Sequence, residues 1–237
     1  LPQPFSYFDS HEKGGINQFD FNLALNFNDR VYLGLTVGAY DIDYSKMSTY
    51  GEEYGDYVEN NVNYGQASYE IGTENRIKGS GVDFKFGAIV RPFEDSPFRI
   101  GVAIHTPTFY NLTIKTNVRA ITRTPEQKTQ NIVEEVVDSY DYTNGEDYGY
   151  DFRFRTPWKY NFSLGYTYGS SFAIGAEYEY QDYSTMRFSY DDGYEMGWEN
   201  DLAKMMLKGV NTFRIGAEWK VIPKFAFRVG YNYESAA

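Results

Sequence analysis

The stretch FRFRTPWKY carries Arg153, Arg155 and Lys159 at odd positions, and EYEYQ carries Glu177 and Glu179 two apart. Cations and carboxylates so spaced share one side of an extended chain. There they neutralise each other or hold an anionic head group through charge-assisted hydrogen bonds. With a tight turn at Gly169 to Ser171, positions summing to about 340 stand opposite each other, so Glu177 meets position 163 and Glu179 meets position 161. Lys159 then pairs with Glu179 or Gln181, and Arg153 and Arg155, further along the same side, remain for the carboxylate of a ligand. His105, beside Pro107, reads either as a hydrogen-bonded wall residue or as a ligand to heme iron. No second His, Cys or carboxylate pair stands at metal-ligand spacing from it, so no metal site is read. Cysteine is absent and no Ser/His/Asp arrangement occurs, so the chain does not read as an enzyme and implies no cofactor.

Two further stretches have helical spacing. In NIVEEVVDSY, Ile132, Val133, Val136, Val137 and Tyr140 fall on one helical face; in WENDLAKMMLK, Trp198, Leu202, Met205 and Met206 do the same. Such a stripe on a loop helix is covered by its neighbour, by the rim of the protein or by a guest, and methionine-rich faces adapt to irregular apolar guests. These residues are the expected site of ligand access.

The elements that hold all these residues are strands. FDFNLALNF sets Phe19, Phe21, Leu23, Leu25 and Phe27 on one face and Asp20, Asn22, Ala24 and Asn26 on the other. The same alternation marks eight strands, at about Ile16 to Asn28, Val31 to Tyr44, Gly81 to Arg91, Phe98 to Ala120, Tyr148 to Tyr168, Phe172 to Tyr183, Val210 to Val221 and Phe225 to Tyr233. Pro107, inside the fourth, predicts a bulge or an edge. Tight turns alternate with long connections, at Ser45 to Ser80, Ile121 to Asp147 and Ser184 to Gly209. Short turns at one end and long loops at the other belong to outer-membrane barrels, in which the turns are periplasmic and the loops extracellular. No segment reaches the roughly 20 consecutive apolar residues of a membrane helix. The wet faces carry Lys85, Arg91, Arg99, Arg214, Lys220 and Arg228 against Asp20, Asp83, Asp151, Glu218 and Glu234, a near balance that suits ion pairs across a lumen. Most of the net charge of −11 therefore sits in the loops, where it serves solvation or divalent-cation binding. Acidic loops exclude nucleic acid as a partner. Tyr and Trp near strand ends, such as Trp158, Trp219, Tyr231 and Tyr233, are candidates for interfacial girdles.

The fold read from the sequence is thus all-β: a single domain over residues 1–237, an up-and-down antiparallel transmembrane β-barrel contacting membrane lipid. The topology puts both termini outside the cell, whereas single-chain barrels begin and end in the periplasm. The expectation is an internal piece, about eight strands of a larger barrel, with its first and last strands unpaired.

GGINQFDFNLALNFNDRVYLGLTVG, GSGVDFKFGAIVRPFEDSPFRIGVAIHTPTFYNLT, FRFRTPWKYNFSLGYTYG, AIGAEYEYQDYSTMRF and FRIGAEWKVIPKFAFRVGYNYES resemble the FadL-type outer-membrane transport proteins of the Bacteroidetes. The resemblance covers nearly the whole chain apart from the loops, with HTPTFYNLT and RTPW its most specific phrases. It implies a fourteen-stranded barrel, an N-terminal hatch in the lumen, and passive uptake of long-chain fatty acids, aromatic hydrocarbons or hemin in the bacterial outer membrane. The hatch and its Asn-Pro-Ala signature have no counterpart in these 237 residues. The alternative is a structural or secretion-partner barrel, with a protein partner and no small-molecule transport.

Overall fold

A computed structural model describes residues 5–56, 58–59, 62–63, 65–126 and 131–236. The strands are β1 (Phe5–Phe27), β2 (Val31–Tyr54), β3 (Val58–Glu59), β4 (Val62–Asn63), β5 (Ala67–Val90), β6 (Arg99–His105), β7 (Phe109–Pro125), β8 (Ile132–Asp138), β9 (Tyr148–Arg155), β10 (Lys159–Tyr168), β11 (Phe172–Asp182), β12 (Arg187–Tyr190), β13 (Gly209–Ile222) and β14 (Phe225–Glu234), with one helix, α1 (Gly197–Met206). The main sheet is an up-and-down meander. β1 pairs with β2 and β2 with β5; β5 is flanked by β6 and β7, these by β10 and β9, and these in turn by β11 and β12; β13 and β14 follow. Among the described residues β1 and β14 each have one strand neighbour, as the sequence predicts. No described helix is long and apolar enough to cross a membrane.

Two of the connections expected to be long loops are largely strand. β2 runs on to Tyr54, β5 begins at Ala67, β7 reaches Pro125 and β8 pairs with it, Val136 opposite Ile121. In the extensions of β2, β5 and β7 both faces are largely polar, as in SYEIGTENR, so period-two hydrophobicity vanishes while the backbone ladder continues. The alternation reads the apolar band and is blind beyond it. The turn after β1 is built from Asn28 and Asp29, both at φ 53°, with the Arg30 N–H on the Phe27 carbonyl at 3.1 Å. Positive φ at both central residues is the type I′ geometry that matches strand twist.

Contacts divide the chain into two compact units. The first comprises Leu1–Asn17, Asp41–Gly79 and Leu112–Asp151. It is held by polar cross-strand pairs: Tyr7 Oη to Glu70 at 2.7 Å, Lys46 to Glu12 at 2.6 Å and Arg123 to Glu134 at 2.7 Å. The second comprises Gln18–Tyr40, Ser80–Asn111 and Phe152–Ala237. Its sheet turns one face outward with its large apolar side chains open, among them Phe21 at 70% exposure, Phe86, Val102, Phe162, Ile215 and Val229. In water that face would collapse or aggregate; hydrocarbon satisfies it.

Two Thr-Pro breaks lie within the second unit, Thr106-Pro107 between β6 and β7 and Thr156-Pro157 between β9 and β10. Proline supplies no N–H, and an amide left open in a membrane costs several kcal/mol by order of magnitude. The threonines fill the gap. Thr106 Oγ1 accepts the Phe84 N–H at 2.9 Å while the Thr106 N–H goes to the Phe84 carbonyl at 2.8 Å. Thr156 Oγ1 accepts the Thr108 N–H at 2.8 Å, and the Thr156 N–H goes to the Thr108 carbonyl at 3.2 Å. Thr156→Val therefore strands the Thr108 N–H and is expected to lower stability by about 1–3 kcal/mol, with Thr156→Ser close to the parent. Urea unfolding of the full-length protein in detergent measures both.

Candidate functional site

The polar face of the second unit is ordered by registers that the Gly169 turn sets. Ser163 stands opposite Glu177, Asn161 opposite Glu179 and Lys159 opposite Gln181, the pairing expected from the sequence. Lys159 Nζ lies 3.6 Å from Glu179, Asn161 Nδ2 donates to Glu179 at 2.9 Å, and Arg214 Nη1 bridges Glu177 at 2.6 Å and Glu179 at 3.2 Å. His105 of β6 stands between Lys85 of β5 and Lys159 of β10 in register. Lys85 in turn pairs with Asp20 at 3.2 Å. Asp83, only 4% exposed, accepts from Tyr40 Oη at 2.8 Å; among the described residues its Oδ1 has no hydrogen-bond partner and lies 4.0 Å from Lys85 Nζ.

Both strand breaks invert the parity of the residues beyond them. Before Pro107 the odd residues His105 and Ala103 face the polar side; after it the even residue Tyr110 does, packed edge-on against Tyr40 at 5.7 Å. Phe154 stacks on Tyr110 at 6.0 Å and on Phe188 at 4.6 Å. Tyr40, Tyr110, Phe154 and Phe188 thus form one aromatic row on the polar face, ending at Asp83. Sequence periodicity assigns Tyr110, Phe154 and Phe188 no such role. The available signal is the repeated Thr-Pro pair.

The same inversion corrects the expected arginine site. Arg153 and Arg155 do not share a face with Lys159, because Phe154 between them points to the polar side and the break at Pro157 resets the alternation. Arg153 is on the apolar face and pairs with Asp191 at 2.9 Å. No carboxylate clamp is built from these two residues on the polar side.

At the Phe188 end of the row the outer edge of β12 is met by the segment ahead of α1, with the Tyr190 N–H on the Tyr194 carbonyl at 2.8 Å and the Met196 N–H on the Phe188 carbonyl at 3.1 Å, and α1 completes the cover. Asn200 Oδ1 accepts the Phe188 N–H at 2.7 Å and Asn200 Nδ2 donates to the Phe188 carbonyl at 2.9 Å, so one side chain imitates a ladder partner. That pairing fixes the rotation of the helix. Asn200 and Ala203 are buried, and the expected apolar stripe lies on the opposite side, with Trp198 77% and Met205 78% exposed and Met206 and Leu202 also open. The helix forms as the spacing predicts; its stripe is uncovered.

The other predicted helix does not form. Ile132, Val133, Val136 and Val137 lie in strand β8 of the first unit, so Ile132 and Val136 share one face and Val133 and Val137 the other, all exposed. Cross-strand bonds to β7 outweigh the helical spacing, as valine and isoleucine favour strands. Tyr140 sits in a 3₁₀ turn just beyond, its hydroxyl on Asp147 at 2.7 Å. Asp138 caps that turn. The Tyr140 backbone N–H, then the Asn117 amide, hold its carboxyl below the ordinary aspartate range.

A meander with an open apolar face, a polar face of paired ions and tight turns alternating with long excursions is the wall of an outer-membrane-type β-barrel. No protein-family model and no curated protein matches the chain. Among solved structures it is similar to the toluene transporter TodX of Pseudomonas putida (8% identity over 98% of this chain and 74% of that one, TM-score 0.43). It is also similar to the toluene transporter TbuX of Ralstonia pickettii (11%, 99% and 67%, TM-score 0.39). A third similar structure is a TodX deltaS2S3 mutant monoaromatic hydrocarbon channel (10%, 98% and 75%, TM-score 0.26).

Arg214 is the one cation that touches both Glu177 and Glu179 among the described residues. Arg214→Met should destabilise the full-length barrel by about 1 kcal/mol, because Glu177 then loses its cation and the neighbouring Glu179 keeps only Lys159, in a site that is partly solvated. Adding Glu177→Gln should restore most of the loss, as read by the thermal midpoint of heat-modifiable migration on gels.

Proposed function

We propose that this chain is wall of an outer-membrane channel through which hydrophobic small molecules diffuse inward, in keeping with the FadL-type resemblance of its strand phrases. The observation that carries the reading is the aromatic row. Four rings in sequence on a face otherwise lined by ion pairs and small or polar side chains have no structural need to be there, since the lipid side already takes the large apolar residues. Polar walls repel an apolar solute; a row of half-buried rings gives it successive contacts, each worth about 0.5–1.5 kcal/mol. The row starts beside α1, whose open Trp198, Leu202, Met205 and Met206 stripe serves as a capture surface at the strand ends opposite the tight turns.

Planar, uncharged guests suit this row best. Arg153 and Arg155, the cations whose spacing suits a fatty-acid carboxylate, are on the other face, so aromatic hydrocarbons rank above fatty acids and hemin. β8 and Tyr140 remain a second candidate for ligand access, in the first unit.

The test is uptake of toluene and of a fluorescent fatty acid by proteoliposomes of the full-length protein. Trp198→Asp with Met205→Asp, and separately Phe154→Ser, should each slow toluene uptake about 2- to 10-fold while the barrel stays folded. Unchanged uptake in both folded variants would favour the structural or secretion-partner reading.

A further inference from the structure

We propose that the lipid-facing surface of β9 and β12 binds the phosphate groups of an outer-leaflet glycolipid through Arg153, Arg155 and Arg187. Arg155 and Arg187 are directly opposite each other in the ladder, so their side chains leave from the same face. Like charges directly opposite across strands are destabilising unless an anion lies between them. Among the described residues Arg155 has no partner, while Arg187 turns one nitrogen to the carbonyls of Met186 at 2.7 Å and Ser184 at 3.3 Å and keeps the rest of its fork free. Arg153 adds a third guanidinium on the same face, tied to Asp191. The three arginines line a cleft of about 360 Å³ that also includes exposed Phe109 and Glu195. Asp191 and Glu195 leave the patch one positive charge in excess (three arginines less two acids).

Position identifies the anion. Trp158, on the same face and nearer the tight turn, opens the apolar run Trp158, Tyr160, Phe162 and Leu164. Arg155 lies just beyond that run, on the side away from the turn, where a barrel meets the outer leaflet and its head groups. The lipids there carry sugar phosphates, and guanidinium forks match phosphate oxygens in pairs. An apolar anchor in Phe109 beside three forks fits an amphiphile with a phosphorylated head, and fits free phosphate less well.

The experiment uses the full-length protein in zwitterionic detergent, with bisphosphorylated lipid A, enzymatically dephosphorylated lipid A and inorganic phosphate as probes. Retention of lipid A after detergent exchange should fall about tenfold or more in Arg155→Ala/Arg187→Ala and stay at the parent level in Arg228→Ala, whose partner is Glu218 on the polar face. Arg155→Gln alone should be intermediate, and it keeps the test open where the double variant does not fold. Dephosphorylated lipid A should be retained poorly, and inorganic phosphate should not raise the thermal midpoint. Equal retention by parent and arginine variants, or equal retention of dephosphorylated lipid A, would overturn the proposal. Stabilisation by inorganic phosphate as large as that by lipid A would assign the site to a free anion instead.

Discussion

Every backbone N–H and C=O that lies in hydrocarbon must find a partner within the protein, and strands can meet that demand only through their neighbours. In this chain the rule holds even where proline interrupts the ladder. Thr106 and Thr156 each give a hydroxyl to an amide that would otherwise be open, and each keeps its own N–H bonded to the same neighbour. Asn200 extends the same logic to the edge of β12, where its side-chain amide occupies a place a strand would take. Continuity of hydrogen bonding is what allows two strands to break side by side without opening the wall.

The breaks also change which residues see which medium. Without them, Tyr110 and Phe154 would face lipid and Arg155 would share the polar face with Lys159. With them, the aromatic residues join Tyr40 and Phe188 in a row on the polar face, and Arg155 stands opposite Arg187 on the apolar one. One backbone device therefore produces both the apolar lane assigned to solute passage and the cationic patch at the edge of the lipid band. The ion pairs below the breaks, Lys159 with Glu179 and Arg214 with Glu177, keep the remainder of that face polar.

The apolar band was legible in the sequence because its two faces differ in chemistry at every step, and the β10–β11 register followed from a single glycine turn. The strand extensions were not, since stretches such as SYEIGTENR are polar on both sides and leave no period to read. NIVEEVVD shows the reverse error: its spacing fits a helix, but β7 offers it a ladder and the β-branched residues take it. The WENDLAKMM helix was legible as an element and not in its rotation, because a single asparagine decides which side is buried. The arginine placement failed for the most specific reason. Period-two parity holds only along an unbroken strand, and a hydrophobicity pattern cannot report the change of phase at Pro157.

The inversion of phase is the central claim, and the absence of cysteine from these 237 residues makes it directly measurable. Arg155→Cys and Lys159→Cys, made singly in the full-length protein, spin-labelled and reconstituted in bilayers, sit four positions apart and would share one face of an unbroken strand. The account predicts that the label at 155 collides with lipid-soluble oxygen and the label at 159 with a water-soluble nickel chelate. Collision with the same reagent at both positions would contradict it.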